Sequence, residues 1–363
     1  MTHSDSRAVR GWLLTLWALV LVMVMIGGIT RLTGSGLSIV EWRPIAGILP
    51  PIGDAAWQEA FAAYQQSPQF RQQNHWMTLG DFRQIFFWEY VHRLFGRLLG
   101  FGLVLPWLYF VWRRLISAPV ARRTSSVLLL GGLQGLVGWL MVKSGLANEP
   151  RVSHYRLALH LLLGVGVGQW ILWLALDLLA PRAPQFALAT GSRRAVLGLI
   201  PLLCLQLVYG AFMAGTRAGY LSATFPDING HYAPQAFFSS GSFWRDALDN
   251  PFSIHYLHRV LALAILTYVV ALVFALRRAR VEVRAAAYLL LAVTLGQIAL
   301  GALSVVLHLP LAVAVAHQGA AYVSCSAAVL LVHAALGATP VPTSSTPPPR
   351  VRPMAEPADL HRV

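Results

Sequence analysis

Apolar residues along this chain gather in eight stretches, near residues 11–29, 86–111, 124–142, 157–180, 195–214, 254–276, 285–307 and 311–336. Each is long enough, as a helix, to cross roughly 30 Å of hydrocarbon. Lipid offers no partner to an open backbone N–H or C=O, so the spans must be helices or a closed barrel. No ten-residue alternation of apolar and polar positions supports a barrel. The pattern therefore predicts an all-α, polytopic membrane protein with eight transmembrane helices. The first span is long and has no small-residue cleavage site, so it reads as a retained helix and not a signal peptide. Two long interspan segments, 31–84 and 215–252, are rich in Gly, Pro and aromatic residues, and loops of such length are usually functional. The Pro-rich tail, 337–363, has little to bury and reads as a disordered extension.

Composition agrees with the pattern. The 363 residues are 56% hydrophobic and 12% charged, with a mean hydropathy of +0.59, where a globular domain carries about 25% charge. A soluble enzyme, a disordered chain and a disulfide scaffold are excluded. A net charge of +14 would suggest a nucleic-acid partner in a soluble protein, but no long basic run is present and the charge follows topology instead. The N-terminus (1–10), the segments after spans two, four (181–194) and six, and the tail carry sixteen of the 28 Lys and Arg but only five of the 14 acidic residues. That side has a net charge of +11, the other +3. The positive-inside rule then places both termini in the cytoplasm and the 31–84 and 215–252 loops outside. The basic excess meets anionic lipid, not nucleic acid. Cys204 and Cys325 fall inside apolar spans and read as small core residues, with a bridge between them left open.

The chain divides near residue 190 into two halves, 11–180 and 195–336, that echo each other as pseudo-repeated four-helix bundles. EYVHRLFGRLLG opens span two with His92, and IHYLHRVLALAI opens span six with His258, which aligns Glu89 with His255 and Arg93 with Arg259. Span three has Gln134 and Gly138, span seven Gln297 and Gly301, the same step of four. Spans four and eight each carry one histidine near the start, His160 and His317. The Gly27-to-Gly36 interval equals the Gly210-to-Gly219 interval. With an even number of spans per half, both halves share one orientation, so the four histidines occupy one layer near the outer surface.

A histidine at that depth is costly unless it faces a partner inside the bundle. Two imidazoles on facing helices are a common way to hold a haem by both axial positions, and two halves make two slots. Zinc sites need three or four clustered ligands at short spacing, and no such run is present. Arg93, Arg97, Arg156 and Arg259 stand near the same histidines and either pair with haem propionates or snorkel to headgroups. Glu89 lies one turn before His92 on the same face, as a carboxylate beside a haem rim or as an ion pair with Arg93. Because the second half has His255 there, the ligands are repeated while the acid is not, which points to chemistry in the first half only. His75, His154, His231 and His308 lie at span edges or in loops and are assigned no role, nor is His333.

Longer motifs carry a resemblance. GGITRLTGSGLSIVEWRPIAGILPP (27–51), EYVHR (89–93), NEPRVSHYRLALH (148–160), AGTRAGYLSATFPDINGHYAP (214–234), LHR (257–259) and HQGAAY (317–322) together resemble the haem A synthases of the alphaproteobacterial and mitochondrial branch, from about residue 11 to 336. The resemblance implies an oxidoreductase that converts the C8 methyl of haem O to the formyl group of haem A for cytochrome oxidase assembly. It implies haem b as cofactor on His258 and His317, substrate haem O on His92 and His160, and Glu89 as the catalytic acid. Haem O synthase (protohaem farnesyltransferase), oxidase assembly factors and a redox partner are the implied partners. Residues 31–84 hold no cysteine pair, unlike some bacterial relatives, so a thiol role does not carry over. The competing expectation is a dihaem b-type electron-transfer protein without substrate chemistry. A repeat-built transporter fits less well, because the spans lack paired midplane breaks.

Overall fold

The computed structural model describes residues 3–41, 46–147, 150–232 and 237–338. Residues 42–45, 148–149 and 233–234 of the quoted motifs, residues 235–236 and the tail from 339 lie outside the described residues, and with them most of the segment expected to be disordered. Eleven α-helices order the described chain: α1 His3–Leu32, α2 Asp54–Gln65, α3 Leu79–Trp112, α4 Ala118–Ala147, α5 His154–Leu179, α6 Thr190–Leu197, α7 Leu199–Gly215, α8 Phe243–Asp249, α9 Pro251–Ala275, α10 Val281–Val306 and α11 Leu311–Ala335. Among the described residues there is no strand, only isolated bridges at Arg182–Ala338 and Ile228–His231. Eight helical segments, with α6 and α7 joined as one, are long and apolar enough to span a membrane. This is a multi-pass membrane protein.

The helices outrun the hydrophobic stretches because polar caps, not apolar residues, set their ends. Thr78 and Asp81 form a reciprocal capping box that starts α3 well before its apolar run. Asn250 accepts from the Phe252 N–H and Pro251 occupies the first turn of α9, where a missing N–H costs nothing.

Burial separates central from peripheral helices. The α11 span is 56% buried, α5 39% and α1 33%, against 11% for α3 and α4. Leu98, Phe101, Leu105 and Leu108 of α3 stay exposed, as a lipid-facing surface requires. In lipid, helices associate through close packing and polar contacts, and α11 supplies both. Its Tyr322 hydroxyl donates to the Trp17 carbonyl of α1 at 3.0 Å, and Ser326 donates to Gln169 Oε1 of α5 at 3.0 Å while accepting from Trp17 Nε1 at 3.2 Å. A Cβ at Gly168 would stand 2.1 Å from the Tyr322 hydroxyl, so only glycine lets α5 approach. The two halves thus meet along a seam of α1 and α5 against α7 and α11.

The first interspan segment is more than a loop. It carries α2 and an aromatic cluster in which Tyr64, Phe82, Ile85 and Phe86 are buried with Trp57, Phe61 and Phe70 packed around them. Tyr64 stacks on Phe82 with ring centroids 5.2 Å apart. This cap sits over the start of α3, the helix of Glu89 and His92. At the opposite end, Asp177 of α5 accepts from Arg182 Nε at 3.0 Å, His333 Nε2 of α11 lies 3.0 Å away, and Arg123 of α4 donates to the same carboxylate. His333 is therefore half of a partnered pair that fastens α5 to α11.

Candidate functional site

Four imidazoles project between helices, each laid against a glycine of a neighbouring helix. A Cβ on Gly138 of α4 would stand 2.8 Å from His160 Cε1 of α5, and one on Gly301 of α10 would stand 2.9 Å from His317 Cε1 of α11. The corresponding distances are 3.3 Å from Gly27 of α1 to His92 Nε2 of α3, and 3.5 Å from Gly210 of α7 to His258 Cε1 of α9. Both halves thus place their two histidines against glycines at matching sequence positions. His92 and His160 are near enough to interact electrostatically, as are His258 and His317, so the four form two pairs. Among the described residues no three metal-ligating side chains converge.

The ring environments fit axial ligation of a haem iron. His317 Nδ1 lies 3.1 Å from the Gln297 carbonyl, which as acceptor fixes the N–H there and leaves Nε2 for a metal. His258 Nδ1 lies 3.2 Å from the side-chain amide of Gln206, which leaves Nε2 for a metal when the amide turns its oxygen toward Nδ1–H. His160 is held through its backbone carbonyl, which accepts from Gln134 Nε2 at 3.1 Å, while its buried Nδ1 has no hydrogen-bond partner among the described residues. A buried nitrogen left open costs free energy unless a ligand takes it up.

Glu89 is 3% exposed, and its carboxylate is surrounded by donors. Oε2 accepts from the Ser38 hydroxyl and the Ile39 N–H, both at 2.8 Å, and Oε1 accepts from Arg93 Nε at 3.1 Å and Nη2 at 2.6 Å. Arg93 also donates to the Ile39 and Glu41 carbonyls at 2.7 and 3.1 Å. The ion pair with Arg93 is therefore present, but buried and built into the anchorage of the first interspan segment. In the second half, His255 takes the position of Glu89 and is fully buried. Among the described residues neither of its ring nitrogens reaches a hydrogen-bond partner with good geometry, though the Ala218 backbone lies close by.

Arg259, which follows His258 as Arg93 follows His92, donates to the Asp227 and Pro226 carbonyls at 2.5 and 3.2 Å and so holds the second interspan segment. There the Gly230 N–H holds the Asp227 carboxyl below the usual carboxylate range. Arg156 donates to the Leu140 carbonyl at 2.7 Å, and Arg97 lies partly buried one turn beyond Arg93. Of the histidines given no role, His154 Nε2 lies 3.1 Å from the Leu248 carbonyl and 3.4 Å from Asp249. Cys204 and Cys325 are free thiols, the former exposed on α7 and the latter buried on α11.

The sequence singles out the four histidines but not the glycines beneath them. The repeated Gln-to-Gly step in spans three and seven was the visible signal. Ser38 and Ile39, partners of Glu89, carried none, since their contact spans fifty residues of chain.

A family model described as cytochrome oxidase assembly protein matches residues 10–329. A protein of Sphingopyxis alaskensis named heme A synthase is 43% identical over 329 residues, covering 89% of this chain and 91% of its own. Proteins of the same name from Nitrosospira multiformis and Bradyrhizobium diazoefficiens are each 40% identical. They cover 90% and 97% of this chain and 93% and 97% of their own.

Proposed function

Because the chain belongs to the cytochrome oxidase assembly protein family, we propose that it is a haem A synthase, an oxidoreductase that converts the C8 methyl of haem O to the formyl group of haem A. The observation that supports this most is the pair of two-histidine slots, each imidazole seated on a glycine, with a carboxylate beside only one slot. His92 and His160 hold the iron of the substrate haem, and their glycine seats fix the ring planes. His258 and His317 would hold haem b, which when bound would supply an iron redox centre. The recurrence of glycine contacts and Gln neighbours supports descent of the two halves from one four-helix unit.

With water as the oxygen source, conversion of a ring methyl to a formyl group releases four protons and four electrons, the electrons passing to a separate acceptor, so positive charge develops at the ring edge. Glu89, one turn from His92, offers a carboxylate there, held in place by Ser38, Ile39 and Arg93 before substrate arrives. A fixed group in a water-poor site stabilises developing charge without reorganisation. Arg93 and Arg259 act chiefly as fasteners of the two interspan segments, because most of their donors meet carbonyls or Glu89. The prenyl-type tail of haem O rests in the apolar surface between helices.

In this reading the protein lies in the cell inner membrane with both termini cytoplasmic. The charge asymmetry supports that placement, as does the Arg123–Asp177–Arg182 cluster at the end remote from the long segments. Haem O synthase supplies the substrate, oxidase assembly factors take the product, and a separate acceptor removes electrons.

The test is pigment extraction from protein purified out of a haem O-producing host. Haem A beside haem B supports the synthase. Haem B alone, with no conversion of haem O, supports the dihaem electron carrier instead.

A further inference from the structure

Three arginines converge at the end of the bundle that carries the long segments, where the two halves meet, and they take part in none of the contacts above. Arg31 ends α1 one turn beyond Gly27, Arg151 precedes α5, and Arg217 follows α7. Close backbone packing draws these segments together. A Cβ on Gly215 of α7 would stand 2.5 Å from His154 Cβ of α5. One on Gly145 of α4 would stand 2.8 Å from Leu37, which follows α1, and 3.1 Å from the Arg151 carbonyl carbon.

The guanidinium groups are near enough to repel one another, Arg31 with Arg151 and Arg217, and Arg217 with Arg151. Partial desolvation and the Arg151 charge both pull the guanidinium of the exposed Arg217 below its ordinary value. Among the described residues none of the three has a carboxylate partner, and the neutral phenol of Tyr220 stands near Arg31 and Arg217. Asp249, across the cleft from Arg151, accepts from the Tyr155 hydroxyl at 2.7 Å and lies beside His154. Glu149 lies outside the described residues. Arg217 also has φ of 57°, a left-handed backbone that favours glycine. A cleft of about 560 Å³ lined by Arg151, His154, Gly215 and Thr216 opens beside the cluster.

We propose that Arg31, Arg151 and Arg217 form an oxyanion site that receives the propionate carboxylates of the tetrapyrrole held by His92 and His160. The inference rests on the haem reading given under Proposed function. Gly27, the seat of His92, is one helical turn from Arg31, about 6 Å along the axis. Carboxylates are costly in hydrocarbon, so a haem ligated in the histidine layer turns its propionate edge toward the segment-bearing end, where these arginines stand. Guanidinium forks match carboxylates in shape and charge, and the anion removes the mutual repulsion. A phospholipid phosphate presents the same chemistry, so the experiment separates the two sources.

Purified protein is titrated with haemin and with haemin dimethyl ester, whose propionates are uncharged, and binding is followed by the Soret band. The phospholipid retained by each sample is measured as phosphate. Wild type is expected to bind haemin about tenfold or more tighter than the diester, the scale of one charged hydrogen bond. Arg31→Gln, Arg151→Gln and Arg217→Gln should each weaken haemin by about tenfold while leaving the diester unchanged, which also shows that the fold is intact. Lysine at the same positions should restore part of the preference. Variants that keep the full preference for haemin but lose bound phosphate would overturn the proposal in favour of a lipid site. Full preference with unchanged phosphate would overturn it outright. If wild type and His92→Ala took up haemin equally, the haem reading of the first half would itself fail, a result distinct from a failure of the arginines.

Discussion

The two halves treat their histidines alike and the residue one turn earlier oppositely. Gly27 and Gly138 seat His92 and His160, and Gly210 and Gly301 seat His258 and His317. Yet in the first half that earlier residue is Glu89, with donors on both oxygens, and in the second it is His255, buried with neither nitrogen well bonded among the described residues. Ring-holding geometry is thus common to both, while polar preorganisation belongs to one. A site that only carries an electron needs the former; a site that stabilises changing charge also needs the latter. The covers differ in the same sense. The first segment has its own aromatic core and is tied to Glu89, whereas the second is tied by Arg259 through backbone carbonyls.

The largest expected effect that sharpens this contrast is at Glu89. Glu89→Gln should slow conversion of haem O on the order of a hundredfold, the scale of one electrostatic or acid–base group, while haem b on His258 and His317 is retained. Because the amide NH2 of glutamine must face either Arg93 or the Ser38 and Ile39 donors, the variant also loses stability. Breaking a buried pair costs about 3–5 kcal/mol. Ser38→Ala separates the two effects, since it loosens the segment and keeps the charge. If Ser38→Ala slowed conversion as much as Glu89→Gln, the carboxylate would be an anchor without chemistry.

Next come the two tight glycine seats. Gly138→Ala and Gly301→Ala each force a Cβ within 3 Å of an imidazole. Overpacking of this kind costs about 1–3 kcal/mol, expected as weakened haem retention in the affected half only, read from the Soret spectrum. Equal loss from both slots in either variant would mean that the seats are not local. Gly27→Ala and Gly210→Ala leave 3.3 and 3.5 Å and should shift the same spectrum less than the tight pair. The smallest effect is expected at His255. His255→Leu removes a buried ring without good partners and should leave thermal stability in detergent within about 1 kcal/mol of wild type. A large fall would show that His255 holds a contact the geometry does not reveal.

The eight spans, their order and the four histidines were legible because hydrophobic length and a repeated motif are local signals. Helix ends were not, since Thr78, Asp81 and Asn250 set them from outside the apolar runs. The segment 31–84 read as a loop because α2 is short and its aromatic core closes only when Tyr64 meets Phe82. Glu89 was legible as a choice between a surface ion pair and a functional acid. The structure shows a pair that is buried, and the partners that make it so, Ser38 and Ile39, lie across a distance no periodicity encodes. The same limit hid the convergence of Arg31, Arg151 and Arg217, three residues in three separate motifs.

The central claim is that one ring-holding geometry serves two jobs, and the most direct measurement is the pigment content of four purified variants. His258→Ala and His317→Ala are expected to lose haem B. His92→Ala and His160→Ala are expected to keep haem B with an unaltered low-spin spectrum but to contain neither haem O nor haem A. If all four variants lost the same haem to the same degree, the two halves would be equivalent and the account would be contradicted.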